Sequence, residues 1–250
     1  MPDLLLKSIQ PYIIGIVFVL IYLAEHLFPE RVFAHTKWHD VKNFGFGVIT
    51  AAITFLGGFY FQACIGWLNK MHFGLFNQLH FPFYLSLGLQ IILLDLFMYW
   101  WHRLNHRLPL LWRFHRFHHV DEQLNITTAL RFHGVELTLS YVARLLVFPL
   151  FGFSITAILA YSLLFFPVVL LHHSNLRMKK QIDYALRRIM VTPNMHRIHH
   201  SNKRSELNSN YSSVFPWWDR LFSSYRKEPV GTIYFGVDRP ELPDHEKKKQ

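Results

Sequence analysis

Residues 81–106 read FPFYLSLGLQIILLDLFMYWWHRLNH, an apolar run that ends in two histidines, His102 and His106. A helix needs about 20 predominantly apolar residues to cross the hydrocarbon core of a bilayer. The stretch from Phe81 to Trp101 has that length. Positions i and i+4 share one face of a helix. The segment therefore describes a helix that crosses a membrane and presents two imidazoles side by side at its end.

Two further stretches of spanning length precede it, Pro11–Phe28 and Phe44–Leu68. A longer apolar region follows, Leu137–Leu171, broken by Pro149, Gly152 and Ser154. It is too long for one helix and short for two full spans, so it reads as a tight helical hairpin. Any one such stretch could be a buried core helix, but a 250-residue soluble domain has too little interior to hide all of them. The fold expected is an all-α integral membrane protein. It has about four transmembrane helices, counted as three spans plus the hairpin, and a cytosolic helical cap holding a histidine-rich dimetal site. Three regions follow: N-terminal membrane helices and loops over 1–80, a histidine-rich catalytic domain over 81–225, and a cytosolic tail over 226–250.

Composition agrees. The chain is 51% hydrophobic and 17% charged, against about 25% charged in soluble domains. Disorder is excluded, because its signature is low hydrophobicity. A disulfide scaffold is excluded, because Cys64 has no second cysteine to pair with. Lys and Arg number 26 against 16 Asp and Glu, a formal charge of +10. Beside membrane spans, such an excess points to anionic lipid and not to nucleic acid.

The basic residues also orient the chain. Arg31, Lys37 and Lys42 follow the first span, and Lys70 alone sits in the second connection. Arg103, Arg107, Arg113, Arg116 and Arg131 follow the third span. Arg177, Lys179, Lys180, Arg187, Arg188 and Arg197 follow the hairpin. The N-terminus is then outside, with the first loop, the histidine region and the C-terminus in the cytosol. The first span lacks a small-residue cleavage site and reads as an uncleaved span. Asn125-Ile-Thr127 and Asn210-Tyr-Ser212 match the glycosylation pattern, which a cytosolic location leaves unused. The run His245–Gln250 reads as a solvated charge tail.

The chain holds 17 histidines, and eleven of them lie between His102 and His200. They form four clusters: His102–His106, His115-Arg-Phe-His118-His119, His172-His173-Ser-Asn175, and His196-Arg-Ile-His199-His200. The pattern His-x-x-His-His occurs twice, where about 0.08 copies are expected by chance. Each triplet spans positions i, i+3 and i+4, so each is expected to aim three imidazoles at a common point.

Neutral imidazole is the commonest protein metal ligand. Ten candidates can be named: His102, His106, His115, His118, His119, His133, His173, His196, His199 and His200. One ion takes about four to six ligands, so ten imply two ions close together. Imidazole suits iron, copper, zinc and nickel alike. No His-Glu-x-x-His motif points to a zinc protease. Paired haem ligands would lie inside the spans, and thiolate clusters are excluded by the single cysteine.

Here the chain resembles the fatty acid hydroxylase and sterol desaturase superfamily of integral membrane oxygenases. The resemblance runs from Asp95-Leu-Phe-Met-Tyr-Trp-Trp-His102-Arg103 through both His-x-x-His-His boxes to Asn210-Tyr211 and Trp218-Asp219-Arg-Leu-Phe222, about half the chain. It implies a non-haem di-iron centre on the cytosolic face, in which zinc may stand in for iron in preparations. It also implies O2 as co-substrate, a lipid substrate that is hydroxylated or desaturated, and a separate electron donor such as a reductase, ferredoxin or cytochrome. The three residues between His102 and His106 look like the hydroxylase and sterol-oxidase branch. Members often carry His-Pro-x-Glu where this chain has His133-Gly134-Val135-Glu136. The family's His-x-Asn pattern selects His173 over His172, with Asn175 as its neighbour, and His172 stays a possible ligand. The membrane would be a bacterial inner membrane or the endoplasmic reticulum.

Asp95 lies seven residues before His102, in an apolar span where an unpartnered carboxylate is costly. It is expected to accept a ligand histidine N–H or to bond a neighbouring helix. Arg144, also in an apolar stretch, could pair with Asp95 or meet a polar substrate group. Thr192-Pro193 reads as a helix cap and first-turn proline, opening a helix that presents His196, His199 and His200. Two rival functions are a transition-metal transporter and a non-catalytic metal-binding membrane protein. A transporter would carry its ligands at mid-membrane, and a degenerate relative would have lost part of a histidine box.

Overall fold

The computed structural model describes residues 2–33 and 36–238, so the run His245–Gln250 lies outside the described residues. Among these, the long helices are α1 (Pro2–Leu27), α2 (Thr36–Lys70), α4 (Phe83–Arg107), α6 (Gly134–Phe151) and α7 (Ile155–His173). Shorter ones are α3 (Leu75–Gln78), α5 (Pro109–His119), α8 (Lys180–Leu186), α9 (Pro193–His199), α10 (Arg204–Leu207) and α11 (Trp217–Leu221). A 3-10 turn covers Ile126–Leu130. No strand occurs among the described residues.

The five long helices are each apolar and long enough to cross a membrane. The hairpin therefore supplies two arms of spanning length, where the sequence suggested material for less. Its helices reach past the purely apolar core, back to Gly134 and on to His173, giving 18 and 19 residues. Leu20, Phe55 and Leu146 point outward, an arrangement that suits lipid and not water. Inside, α2, α4, α6 and α7 share a core of Phe61, Ile65, Leu94, Phe148, Ala157 and Tyr161.

Two glycines shape the turn of the hairpin. Gly152 ends α6 with φ +69, and Gly74, at φ +98, lies against it. A Cβ on Gly74 would fall 2.3 Å from the Pro149 carbonyl and 2.4 Å from the Gly152 nitrogen, so no larger residue fits. Ser154 then caps α7 by accepting the Ala157 N–H at 3.1 Å. Gln90 of α4 accepts the Ser154 N–H at 2.7 Å, fastening the tip to the bundle.

At the opposite end of the bundle, the end of α1, the start of α2, the end of α4, the start of α6 and the end of α7 come together under the short helices. Hydrogen bonds from Asn175 to Glu25, His39 to Asp121 and His102 to Tyr211 tie these pieces to one another. Asn125 and Asn210, the asparagines of the two glycosylation patterns, are both buried there with their amides bonded within the protein.

Candidate metal centre

α4 delivers His102 and His106 from its last turns, and α5 follows almost at once because Pro109 opens a new helix. α5 carries His115, His118 and His119, and α7 ends on His173. α9 is started by Thr192, whose side chain accepts the Met195 N–H at 3.3 Å, with Pro193 in its first turn. It carries His196 and His199, and His200 closes it.

Nine of these imidazoles gather into two groups. His102, His106, His115, His119 and His199 form the first, and His118, His173, His196 and His200 form the second. Within each group one nitrogen per ring lies within 4.8 Å of all the others. The groups adjoin, with the rings of His119 and His200 stacked at 4.3 Å.

The triplets do not each converge on a single point, as their spacing suggested. His115 and His119 belong to the first group, but His118 turns to the second. In α9 the split is reversed: His196 and His200 serve the second group, and His199 the first. Residues i and i+4 are about 40° apart around a helix, while i+3 lies about 60° to the other side. Each helix thus keeps its i, i+4 pair together and lends its i+3 residue across.

The nitrogens carry the chemistry. His118 donates its Nδ1–H to the Arg131 carbonyl at 3.2 Å, and His173 donates its own to the Val169 carbonyl at 2.8 Å. That assignment of the proton leaves a lone pair on each Nε2. Those two Nε2 atoms lie 3.0 Å apart. His173 Nε2 is also 3.0 Å from His196 Nε2, which is 3.1 Å from His200 Nε2. In the first group, His115 and His119 Nε2 are 3.2 Å apart. Converging lone pairs repel unless a cation lies between them. Ligand atoms about 2.0–2.1 Å from one ion sit roughly 3.0–3.4 Å from each other, so these spacings fit the edges of a coordination shell. His106 has neither ring nitrogen bonded within the protein, and the buried His199 Nε2 is likewise unpartnered.

Electrostatics suit the same role. Burial first, and then the neighbouring imidazoles, hold His118, His119, His196 and His200 well below the usual histidine range. Burial brings His199 down to about 3, against an opposing bond to the Ser209 carbonyl. These rings are neutral at physiological pH, the form that binds a metal.

Outer contacts fix ring orientation. His115 Nδ1 donates to Glu136 Oε1 at 2.7 Å. His102 Nδ1 donates to the Tyr211 carbonyl and His199 Nδ1 to the Ser209 carbonyl, both at 2.8 Å. Those two carbonyls flank Asn210, whose left-handed backbone (φ +52) aims them at different helices. Asp219 holds that turn by accepting the Tyr211 and Ser212 N–H groups at 2.8 and 3.0 Å. Glu136, Ser209 and Asp219 were not assigned roles from sequence. Glu136 and Asp219 stand in the motifs His133-Gly-Val-Glu136 and Trp218-Asp219, which were the signals available. Glu136→Ala is expected to weaken metal retention in the first group by about 10–100-fold, read as metal kept after a chelator challenge.

Five residues singled out in the sequence lie elsewhere. His133 lies in neither group; it caps α6, its Nδ1 accepting the Val135 N–H at 3.2 Å, and packs on Phe114. His172 also lies outside both, stacked 4.0 Å behind His196 and bonded to the Ser213 backbone. Asp95 does not reach a histidine. Two helical turns below His102, it accepts Tyr161 Oη at 2.7 Å, Trp218 Nε1 at 2.8 Å and the Phe215 N–H at 3.1 Å. Asn175 turns away from the histidines and pairs with both backbone groups of Arg31. Arg144 contacts Met98 Sδ at 3.6 Å and the Tyr141 ring, and forms no ion pair with Asp95.

A bundle of apolar helices that closes one end over paired histidine groups defines a class of membrane-embedded, histidine-rich proteins. The chain belongs to the fatty acid hydroxylase family, whose model matches residues 87–224, more than half its length. It is 30% identical to alkylglycerol monooxygenase of Homo sapiens over 147 residues, 58% of this chain and 32% of that protein. The Danio rerio protein of the same name is 30% identical over 155 residues, 58% and 31%. Ornithine lipid hydroxylase OlsE of Rhizobium tropici is 27% identical over 212 residues, 80% of this chain and 63% of that one. The chain thus spans about a third of the length of the alkylglycerol monooxygenases it matches. No solved structure matches it.

Proposed function

We propose that this protein is a membrane-bound, O2-dependent hydroxylase or desaturase of a lipid, with two iron ions held by the two histidine groups. The observation that carries this reading is the set of imidazole Nε2 atoms converging at 3.0–3.2 Å, with the lone pairs of His115, His118 and His173 turned inward by the acceptors on their Nδ1 atoms. An iron pair supplies, when bound, O2 activation and C–H oxidation with electrons from a separate donor protein. The chain's own contribution is to hold neutral imidazoles in place, through carbonyl and Glu136 acceptors, with the second group shut away from water. The second group is fully buried, whereas His102 and His106 of the first are partly exposed. A substrate carbon is therefore brought to the first group, beside Trp112, whose ring lies 5.0 Å from His106. A lipid substrate is supported by the two lipid-oxidising relatives and by the apolar bundle that surrounds the approach. The histidine end faces the cytosol in this reading.

A metal transporter is disfavoured, because the histidines gather at one end of the bundle and not along a path through its middle. The test is metal content per chain, measured on detergent-purified protein from iron-supplied cells, followed by an O2-dependent lipid screen. About two irons and a hydroxylated or desaturated product are expected. A folded, monodisperse protein that takes up no metal would overturn the reading.

A further inference from the structure

Glu25 sits in the last turns of α1, outside the part of the chain that the family model covers. One face of α1 packs its apolar residues Ile14, Val17, Phe18 and Ile21 on the α7 side and the other face is exposed and apolar, and neither packing nor membrane anchoring needs an acid. Yet Glu25 is only 3% exposed, and a buried carboxylate in a spanning helix is costly without a role.

Its bonds are specific. One oxygen, Oε2, accepts the Ile126 N–H at 3.1 Å and the Asn175 N–H at 2.7 Å. Ile126 opens the 3-10 turn that runs into Arg131, and the Arg131 carbonyl holds the ring of His118. Asn175 follows His173 by two residues. The segment after Glu25 strengthens the second attachment: the Glu30 N–H donates to the Asn175 carbonyl at 2.7 Å, and Arg31 pairs with the Asn175 side chain. A single carboxylate thus fastens two loops: one leads to the carbonyl that holds the His118 ring, and the other leaves α7 two residues after His173, whose ring bonds the Val169 carbonyl of its own helix. The first group hangs on other partners: Tyr211, Ser209 and Glu136.

We propose that Glu25 is a positioning residue for the second histidine group, which makes α1 a working part of the centre as well as a membrane helix. This rests on reading the two groups as metal sites. The experiment compares wild type, Glu25→Leu, Glu25→Gln and Lys7→Gln, a control at an exposed residue of the same helix, each loaded with iron in detergent and challenged with a graded chelator. Wild type and the control are expected to keep two ions. E25L should keep one and release the other at roughly 10–100-fold lower chelator strength. E25Q should behave nearly as wild type, because its amide oxygen can accept the same two N–H groups. The ion retained by E25L reports that the bundle has folded.

An E25L protein that holds both ions as firmly as wild type overturns the proposal. So does one that loses both together, since the effect would then be on the whole bundle and not on one group. A wild type that never takes up two ions removes the two-site reading itself, a failure seen before any variant is compared.

Discussion

Alanine at His118 and alanine at His119 are expected to empty different halves of the centre, although the two residues are adjacent in the chain. His118 belongs to the four-histidine group with His173, His196 and His200. Its loss leaves three imidazoles there, with the His173 lone pair no longer matched at 3.0 Å. His119 belongs to the five-histidine group, and His199→Ala should resemble His119→Ala and not its neighbour His200→Ala. Each single variant should retain about one ion per chain and lose at least about 100-fold in lipid oxidation, more than changes to outer contacts produce. Elemental analysis alongside O2-dependent product formation checks this. Normal turnover by either variant would remove the basis for assigning these residues to the metals. Identical metal loss from H118A and H119A would refute the interleaved grouping.

The second large effect is expected at Asp95, and it is an effect on stability. Its carboxylate receives donors from α7 (Tyr161), from the 214–218 loop (Phe215 N–H) and from α11 (Trp218). Removing it strands three donors, two buried and one partly buried, at the junction of α4, α7 and the segment that follows the Tyr211 turn. Each unsatisfied buried donor costs about 1–3 kcal/mol, so Asp95→Ala should destabilise the protein by about 3–5 kcal/mol after partial relaxation. Asp95→Asn, which keeps one acceptor oxygen, should lose less. The thermal unfolding midpoint in detergent reads this directly. A D95A protein that unfolds at the wild-type temperature would show that the three donors find other partners.

These two cases mark what could be read from sequence. Long apolar runs announce membrane helices because the bilayer imposes a length, and among the described residues five helices have that length, where the sequence suggested about four. Histidine clustering points to a shared site, and the structure gathers nine of the imidazoles into two adjoining groups. Helical spacing alone misplaces the grouping, however. It shows that His115, His118 and His119 share a side of α5, but not that a second helix crosses close enough to split them. The misplaced roles have the same origin. Asp95 and Asn175 are near histidines in sequence, but their side chains are claimed by Trp218 and Arg31, partners 123 and 144 residues distant. His133 stands in a ligand-like motif, but its Nδ1 accepts the Val135 N–H of the helix it begins. Long-range pairings of this kind leave no local pattern.

The crossed assignment of α5 and α9 bears on how the centre fills. Neither helix can be set for one histidine group without being set for the other, since each carries residues of both. The conformational entropy of ordering both helices therefore falls mainly on the first ion to arrive, and the second meets a scaffold already rigid. Uptake should be modestly cooperative: the first ion should raise the affinity for the second without being lost when the second site is damaged, so native mass spectrometry of wild type at substoichiometric iron should find fewer singly loaded chains than two independent sites would give.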